Sequence, residues 1–246
     1  MKVLLIGDSC EDRYFYGDVK RLNPEAPVPI LEYKRGVTSK GMVWNVRENL
    51  RSFGVEVYTS THPEEIIKTR YIDEKSNQQI MRYDVEPKIE PLSFDFPPEW
   101  NNLYDALVIS DYNKGFLTTE KIFELTSRFV GPVFIDSKKT NLPADAYIKI
   151  NELEHERMAY CNYENLIITR GGEGAEYKGD LYPAEKVNVF DVVGAGDTFL
   201  AALTYGYLKY GRIDKAIPLA NKAAAVAVSH RGTYVLTEED VTKILC

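Results

Sequence analysis

From Ala106 onward the chain alternates short apolar runs with helical patterns, and this rhythm restricts the fold more than any other feature. Ala106–Ser110, Val133–Asp136, Tyr147–Ile150 and Leu166–Thr169 read as strands. Thr118–Phe129 reads as a helix, and two longer helices are expected at roughly 195–210 and 213–230. Strands that are apolar at consecutive positions are covered on both sides. The alternation therefore predicts an α/β fold, a three-layer Rossmann-like parallel sheet with helices on both faces. Upstream, Val3–Ile6 reads as a buried strand ending in Gly7-Asp8, and Val43–Phe53 as a helix stopped by Gly54. Val28–Tyr33, Thr69–Asp73 and Gln78–Tyr83 alternate and read as exposed strands, with a hairpin turn over 73–77. They predict a small β-strand lid, approximately 12–35 and 68–92, on a single domain spanning 1–246.

Function is announced by Phe190-Asp191-Val192-Val193-Gly194-Ala195-Gly196-Asp197-Thr198-Phe199. Three small residues at a helix start leave backbone N–H groups open, and the helix dipole favours an anion there. Asp197 would repel a phosphate unless a proton acceptor is needed beside it. A phosphoryl group arriving next to a hydroxyl that must lose its proton satisfies both facts. The plainer alternative is a small-residue turn with an Asp capping the helix. Phe199 stands where a dinucleotide fingerprint needs its third glycine, and no P-loop sequence occurs. A carboxylate at a helix N-terminus is expected to be a weak base with a low pKa.

Asp8, Ser110-Asp111, Asp136, Asn151 and Thr169-Arg170 fall at strand ends, where ligands of such sheets bind, so one cleft is expected to gather them. Thr169-Arg170-Gly171-Gly172-Glu173-Gly174-Ala175 lets a ligand approach the backbone, or is simply a glycine-rich hairpin turn. Net charge of −7 argues against nucleic acid or an anionic membrane as partner. The apolar run at 3–6 is too short for a signal peptide or a membrane span. Cys10, Cys161 and Cys246 suggest neither disulfides nor zinc, and His62, His155 and His230 show no metal-ligand spacing. A reduced cytoplasm is the expected compartment.

Asp191–Leu203 resembles the C-terminal signature of the ribokinase-like (pfkB) carbohydrate kinases. The resemblance implies that Asp197 is the catalytic base and that the N–H groups of Gly194, Ala195 and Gly196 hold the transferring phosphate. It implies a nucleotide loop at Thr169, Gly171, Gly172 and Gly174, with Asn221 beside the adenine and Lys138 near the phosphates. Asn151 and Glu154 match an N-x-x-E element that orders phosphates and magnesium, with Glu154 as the metal residue. Asp12, Gly41 and Asn45 match sugar-binding positions, but Met42 replaces the second glycine of the G-G-x-x-N element.

A finer resemblance is to the heptose-7-phosphate kinases. It rests on Asp12–Gly17, Asn23–Pro29, Asn77–Gln79 with Arg82, and Ser110–Gly115, and adds Arg82 and Asp111 to the substrate side. Relatives carry a further strand–helix unit after Tyr58 and a longer stretch between Asn151 and Leu166. A nucleotidyltransferase-like half has no counterpart here, so a free-standing kinase domain is expected. The implied activity is ATP-dependent phosphorylation of a sugar or sugar phosphate, with D-glycero-D-manno-heptose 7-phosphate as the candidate acceptor. ATP, Mg2+ and a monovalent cation are the implied cofactors, and a homodimer through the lid follows from its open strand edges. Met42 and the missing unit also admit a non-catalytic sugar- or nucleotide-binding relative. A kinase for a nucleoside or another small alcohol is the remaining alternative.

Overall fold

The computed structural model describes residues 1–96, 98–157 and 163–246, so Cys161 lies outside the described residues. The chain opens with β1 (Lys2–Gly7), β2 (Ser9–Leu22), β3 (Pro29–Met42), α1 (Val43–Ser52) and β4 (Glu56–Ser60). Next come β5 (Ile67–Asp73), β6 (Gln78–Val85), β7 (Ala106–Asp111), α2 (Thr119–Arg128) and β8 (Val133–Ser137). It continues through β9 (Tyr147–Asn151), α3 (Glu152–Arg157), β10 (Leu166–Thr169), β11 (Gly174–Tyr177) and β12 (Asp180–Pro183). The last elements are α4 (Ala195–Tyr210), α5 (Ile213–Val228) and α6 (Glu238–Leu245). They divide into two compact units: Met1–Asp8, Met42–His62 and Ile89–Cys246 form one, Ser9–Gly41 and Pro63–Lys88 the other. Among the described residues no helix is long and apolar enough to cross a membrane.

The larger unit is built on an eight-stranded sheet of order β12-β11-β10-β9-β8-β7-β1-β4. From β1 the chain steps one way to β4 and the other way to β7, β8, β9 and β10. Right-handed crossovers in opposite directions place α1 on one face and α2 and α3 on the other. Val3, Leu5, Val108 and Phe134 pack with α1, α4 and α5 in the main core. The alternate residues Leu4, Ile6, Leu107, Ile109 and Ile135 are equally buried on the opposite face. The reversal of strand order at β1 leaves a crevice at the strands' carboxyl ends.

The sheet departs from the all-parallel expectation at one edge. There β11 pairs antiparallel with both β10 and β12. Lys178 and Gly179 join β11 to β12 with φ of 53° and 84°, the left-handed pair that a tight hairpin requires.

The smaller unit is a four-stranded sheet, order β3-β2-β5-β6, with β2 parallel to β5 and β5 antiparallel to β6. Its hairpin lies where the sequence places it. Asp73 accepts the N–H and hydroxyl of Ser76 at 2.9 and 2.6 Å, and the N–H of Val19 at 2.9 Å.

Met42, between β3 and α1, has φ 57° and ψ −127°, a backbone conformation natural to glycine. Its side chain is only 3% exposed. Strain of about 1–3 kcal/mol is therefore set against about 2–5 kcal/mol for emptying a buried Met site. Met42→Ala removes the packing and keeps the strain, whereas Met42→Gly removes both. Urea denaturation should show Ala as the less stable of the two, the reverse of the usual order for these residues.

Candidate active site

Asp197 lies in the first turn of α4 and is 2% exposed. Its Oδ1 accepts the Tyr112 hydroxyl at 2.8 Å, and its Oδ2 accepts the Asn45 amide at 3.2 Å. The same Asn45 nitrogen donates to the Gly194 carbonyl at 3.2 Å. Asn49 turns that amide the right way, donating to Asn45 Oδ1 at 3.0 Å while its own Oδ1 accepts the Leu236 N–H at 3.0 Å. The expectation of a low pKa is overturned: the Asp197 carboxyl is pushed up to about 6. Burial is the main cause and Asp136 repels it further, against the lowering hydrogen bonds from Tyr112 and Asn45 and the charge of Lys149.

The helix start is shaped to leave its backbone bare. Gly194 has φ 78°, and a Cβ there would stand 2.6 Å from Asn45 Nδ2. A Cβ at Gly196 would stand 2.8 Å from Lys149 Nζ. The Ala195 N–H already donates to the Val192 carbonyl at 3.3 Å, so it is a less open donor than expected. Lys149 is buried in β9 and donates to Asp136 Oδ2 at 2.7 Å.

A cavity of about 780 Å³ opens beside this turn. Its wall brings together Gly194, Ala195 and Gly196 with Lys138, Asn151, Thr169, Gly171, Gly172, Gly174 and Asn221, all of them expected at the nucleotide. Asp136, Lys149 and Tyr112 line it too, and Val187, Val189, Ala224, Ala225 and Val228 supply apolar surface. Asn221 also anchors the β12 strand, donating to the Tyr182 carbonyl at 2.7 Å.

Asn151 and Glu154 cap one another, each N–H donating to the other's side chain at 2.9 Å, and Glu154 also pairs with Lys138. Among the described residues no group of three or more His, Cys, Asp and Glu is placed to hold a metal. Glu154 is not on the cavity wall itself but is bonded to two residues that are, Asn151 and Lys138. A single carboxylate beside the cavity fits magnesium, which relies on phosphates and water for its remaining ligands.

Not every strand-end group reaches the cavity wall. Asp8 is buried behind it, accepting the N–H groups of Tyr112 at 2.8 Å and Lys114 at 3.2 Å, which positions the Tyr112 loop. Asp111 is engaged by Ser137 Oγ at 2.5 Å, Lys139 Nζ at 2.8 Å and the Asn113 N–H at 3.0 Å. Its carboxylate holds β7 to β8, a structural use that the substrate expectation did not include.

In the smaller unit, Asp12 is buried and accepts Arg70 Nη1 at 2.6 Å and the Cys10 thiol at 3.7 Å. Gly41 lies against it, since a Cβ there would be 2.3 Å from Asp12 Oδ2. Arg82, expected on the substrate side, is paired with Asp84 at 2.8 and 2.6 Å. Arg70 is its cross-strand partner and lies beside Asp12.

Sequence reasoning did not single out Tyr112 and Asn49 around Asp197, Lys149 on Asp136, or Arg70 on Asp12. Lys149 carried a local signal, a charge between Ile148 and Ile150 in an otherwise apolar strand, and Tyr112 lies within the Ser110–Gly115 motif without standing out in it.

Residues 144–240 match the family model described as pfkB family carbohydrate kinase. Bifunctional protein HldE of Helicobacter acinonychis (strain Sheeba) is 30% identical over 307 aligned positions, covering 99% of this chain and 66% of that protein. HldE of a Nitratiruptor species is 30% identical over 295 positions, covering 98% and 64%. The chain thus spans about 66% of the first of these relatives, and an alignment longer than the chain itself means that it carries gaps on this side. Among solved structures, ribokinase from Thermotoga maritima superposes with TM-score 0.69 at 16% identity, covering 99% of this chain and 98% of that one. Phosphofructokinase-2 from Escherichia coli in complex with potassium gives 0.73 at 17%, covering 98% and 97%. At such identities these two show the shared fold.

Proposed function

We propose that this chain, which belongs to the pfkB family of carbohydrate kinases, transfers the γ-phosphoryl group of ATP to a hydroxyl of a sugar or sugar phosphate. Heptose 7-phosphate is the acceptor favoured by the motifs and by the HldE relatives. The observation that carries the reading is a buried carboxylate, Asp197, in the turn whose bare N–H groups line a nucleotide-sized cavity.

In the reaction, the acceptor oxygen bonds to the γ-phosphorus as the bond from that phosphorus to the β–γ bridging oxygen breaks. ADP leaves with the bond's electron pair, and Asp197 takes the acceptor's proton. The N–H groups of Gly194 and Gly196 receive the charge spreading over the phosphoryl oxygens. Gly171 and Gly172 admit the nucleotide to the cavity wall, and the apolar side chains beside Asn221 suit an adenine face. Glu154, with Asn151, would hold a magnesium ion arriving on the phosphates, and such an ion supplies charge neutralisation there.

Purified protein given magnesium ATP and a panel of acceptors tests the reading. The panel includes D-glycero-D-manno-heptose 7-phosphate, ribose, fructose 6-phosphate and adenosine. Acceptor-dependent ADP release with the heptose phosphate is expected, and its absence with every acceptor overturns the reading. Release with adenosine alone would move the protein to the nucleoside kinases. The neighbour crystallised with potassium makes potassium the cation to vary in that assay.

A base must be ionised to work, and the Asp197 carboxyl is pushed up to about 6. Turnover should therefore fall about tenfold per pH unit below that point. A pH–kcat profile flat down to about pH 4.5 would exclude Asp197 as the base.

A homodimer through the smaller unit belongs to the same reading. The edge strands β3 and β6 carry exposed Tyr33, Val37, Met81 and Tyr83, and open apolar edges invite pairing. A particle of 28.0 kDa at sedimentation equilibrium would remove it.

A further inference from the structure

Lys149 stands mid-strand in β9 with 4% of its surface exposed. An ammonium in such a place needs a partner, and Asp136, also buried, lies 2.7 Å away. A pair of this kind adds little to stability over apolar side chains of the same volume, so the fold alone gives weak reason for it. Its position supplies a better one. Both residues line the large cavity. The ammonium also lies where a side chain on residue 196 would be, directly against the bare helix start.

We propose that Lys149 is a catalytic residue: its ammonium, held by Asp136, contacts the phosphoryl group seated on the N–H groups of Gly194 and Gly196 and carries the negative charge that grows there. The role rests on the kinase reading above. Lys149 neither gives nor takes a proton, since Asp197 accepts the one released. A compact point charge suits the space, because a planar guanidinium would not fit where only the missing side chain of Gly196 leaves room.

Removing Lys149 alone would leave Asp136 buried and unpaired, which destabilises a fold whatever the role of the lysine. The informative chain is therefore the double variant Asp136→Asn/Lys149→Met, with Lys149→Gln as a second that can still donate to Asp136. Melting, ADP affinity, affinity for magnesium ADP with aluminium fluoride, and turnover with the best acceptor of the panel are measured on both.

We expect folded proteins whose ADP affinity stays within about threefold of wild type. Turnover and affinity for the aluminium fluoride complex should fall by ~10²–10³, the scale for losing one preorganised electrostatic group. A folded variant that keeps both within about fivefold overturns the role of Lys149 and leaves the kinase reading standing. Failure of both variants to fold assigns the pair to the fold and overturns the proposal. A wild-type protein that transfers to no acceptor overturns the kinase reading, and this role with it.

Discussion

Asp197→Asn lowers turnover by ~10²–10⁴, the usual worth of a general base, while making the protein more stable at about pH 8. The second effect follows from the carboxyl's pKa of about 6 in the fold against an ordinary value of 3.8. Between those values the folded state binds more protons than the unfolded chain, so this group's contribution falls as pH rises through 3.8–6. Above pH 6 an ionised Asp197 costs up to about 3 kcal/mol, and a neutral amide of the same shape avoids that cost. Part of the gain is lost because the new amide meets the donor of Asn45. The gain in melting temperature should be clear at about pH 8 and vanish near about pH 4. Near-normal turnover in this variant would remove Asp197 from the chemistry. Unchanged stability in the alkaline range would mean that the carboxylate is better solvated than its burial implies.

Gly196→Val should be nearly as damaging, for a different reason. Its first added carbon would stand 2.8 Å from the Lys149 ammonium, and its methyl groups would cover the N–H groups that receive the phosphate. Turnover should drop by ~10²–10³, as for a lost oxyanion donor. Overpacking against a paired ammonium should also cost about 1–3 kcal/mol of stability. Inorganic phosphate or ADP titrated into the folded variant should bind more weakly than to wild type. Unaltered affinity and turnover would place the phosphate away from this turn.

The strands β7 to β10 are legible to within about a residue, because strands buried on both faces leave continuous apolar runs. The starts of α4 and α5 are legible for a related reason, as small or polar residues precede sustained apolar patterns. Half-exposed elements are not. β2 runs 14 residues through mixed polar and aromatic side chains, and β11 and β12 have four residues each, too few for a pattern. The glycine turn and the cavity wall can be read because they lie in short contiguous runs. Tyr112 cannot, since its role depends on a contact with a residue 85 positions away. The proton affinity of Asp197 is misjudged from sequence for a physical reason: the dipole of α4 is visible there, whereas the burial that outweighs it is not.

Asn49 accepts the N–H of Leu236, 187 positions later, and the same amide orients Asn45 on Asp197. The Asp197 carboxylate is thus held partly by a segment that leaves the ribosome almost two hundred residues after α1. A nascent chain can complete its first strands and its glycine turn and still lack the contact that supports Asn45 on Asp197. Contacts of such long range also slow folding, because the intervening loop must close before they form. The stretch around Leu236 must therefore dock before the Asn49 amide that orients Asn45 on Asp197 is fully held.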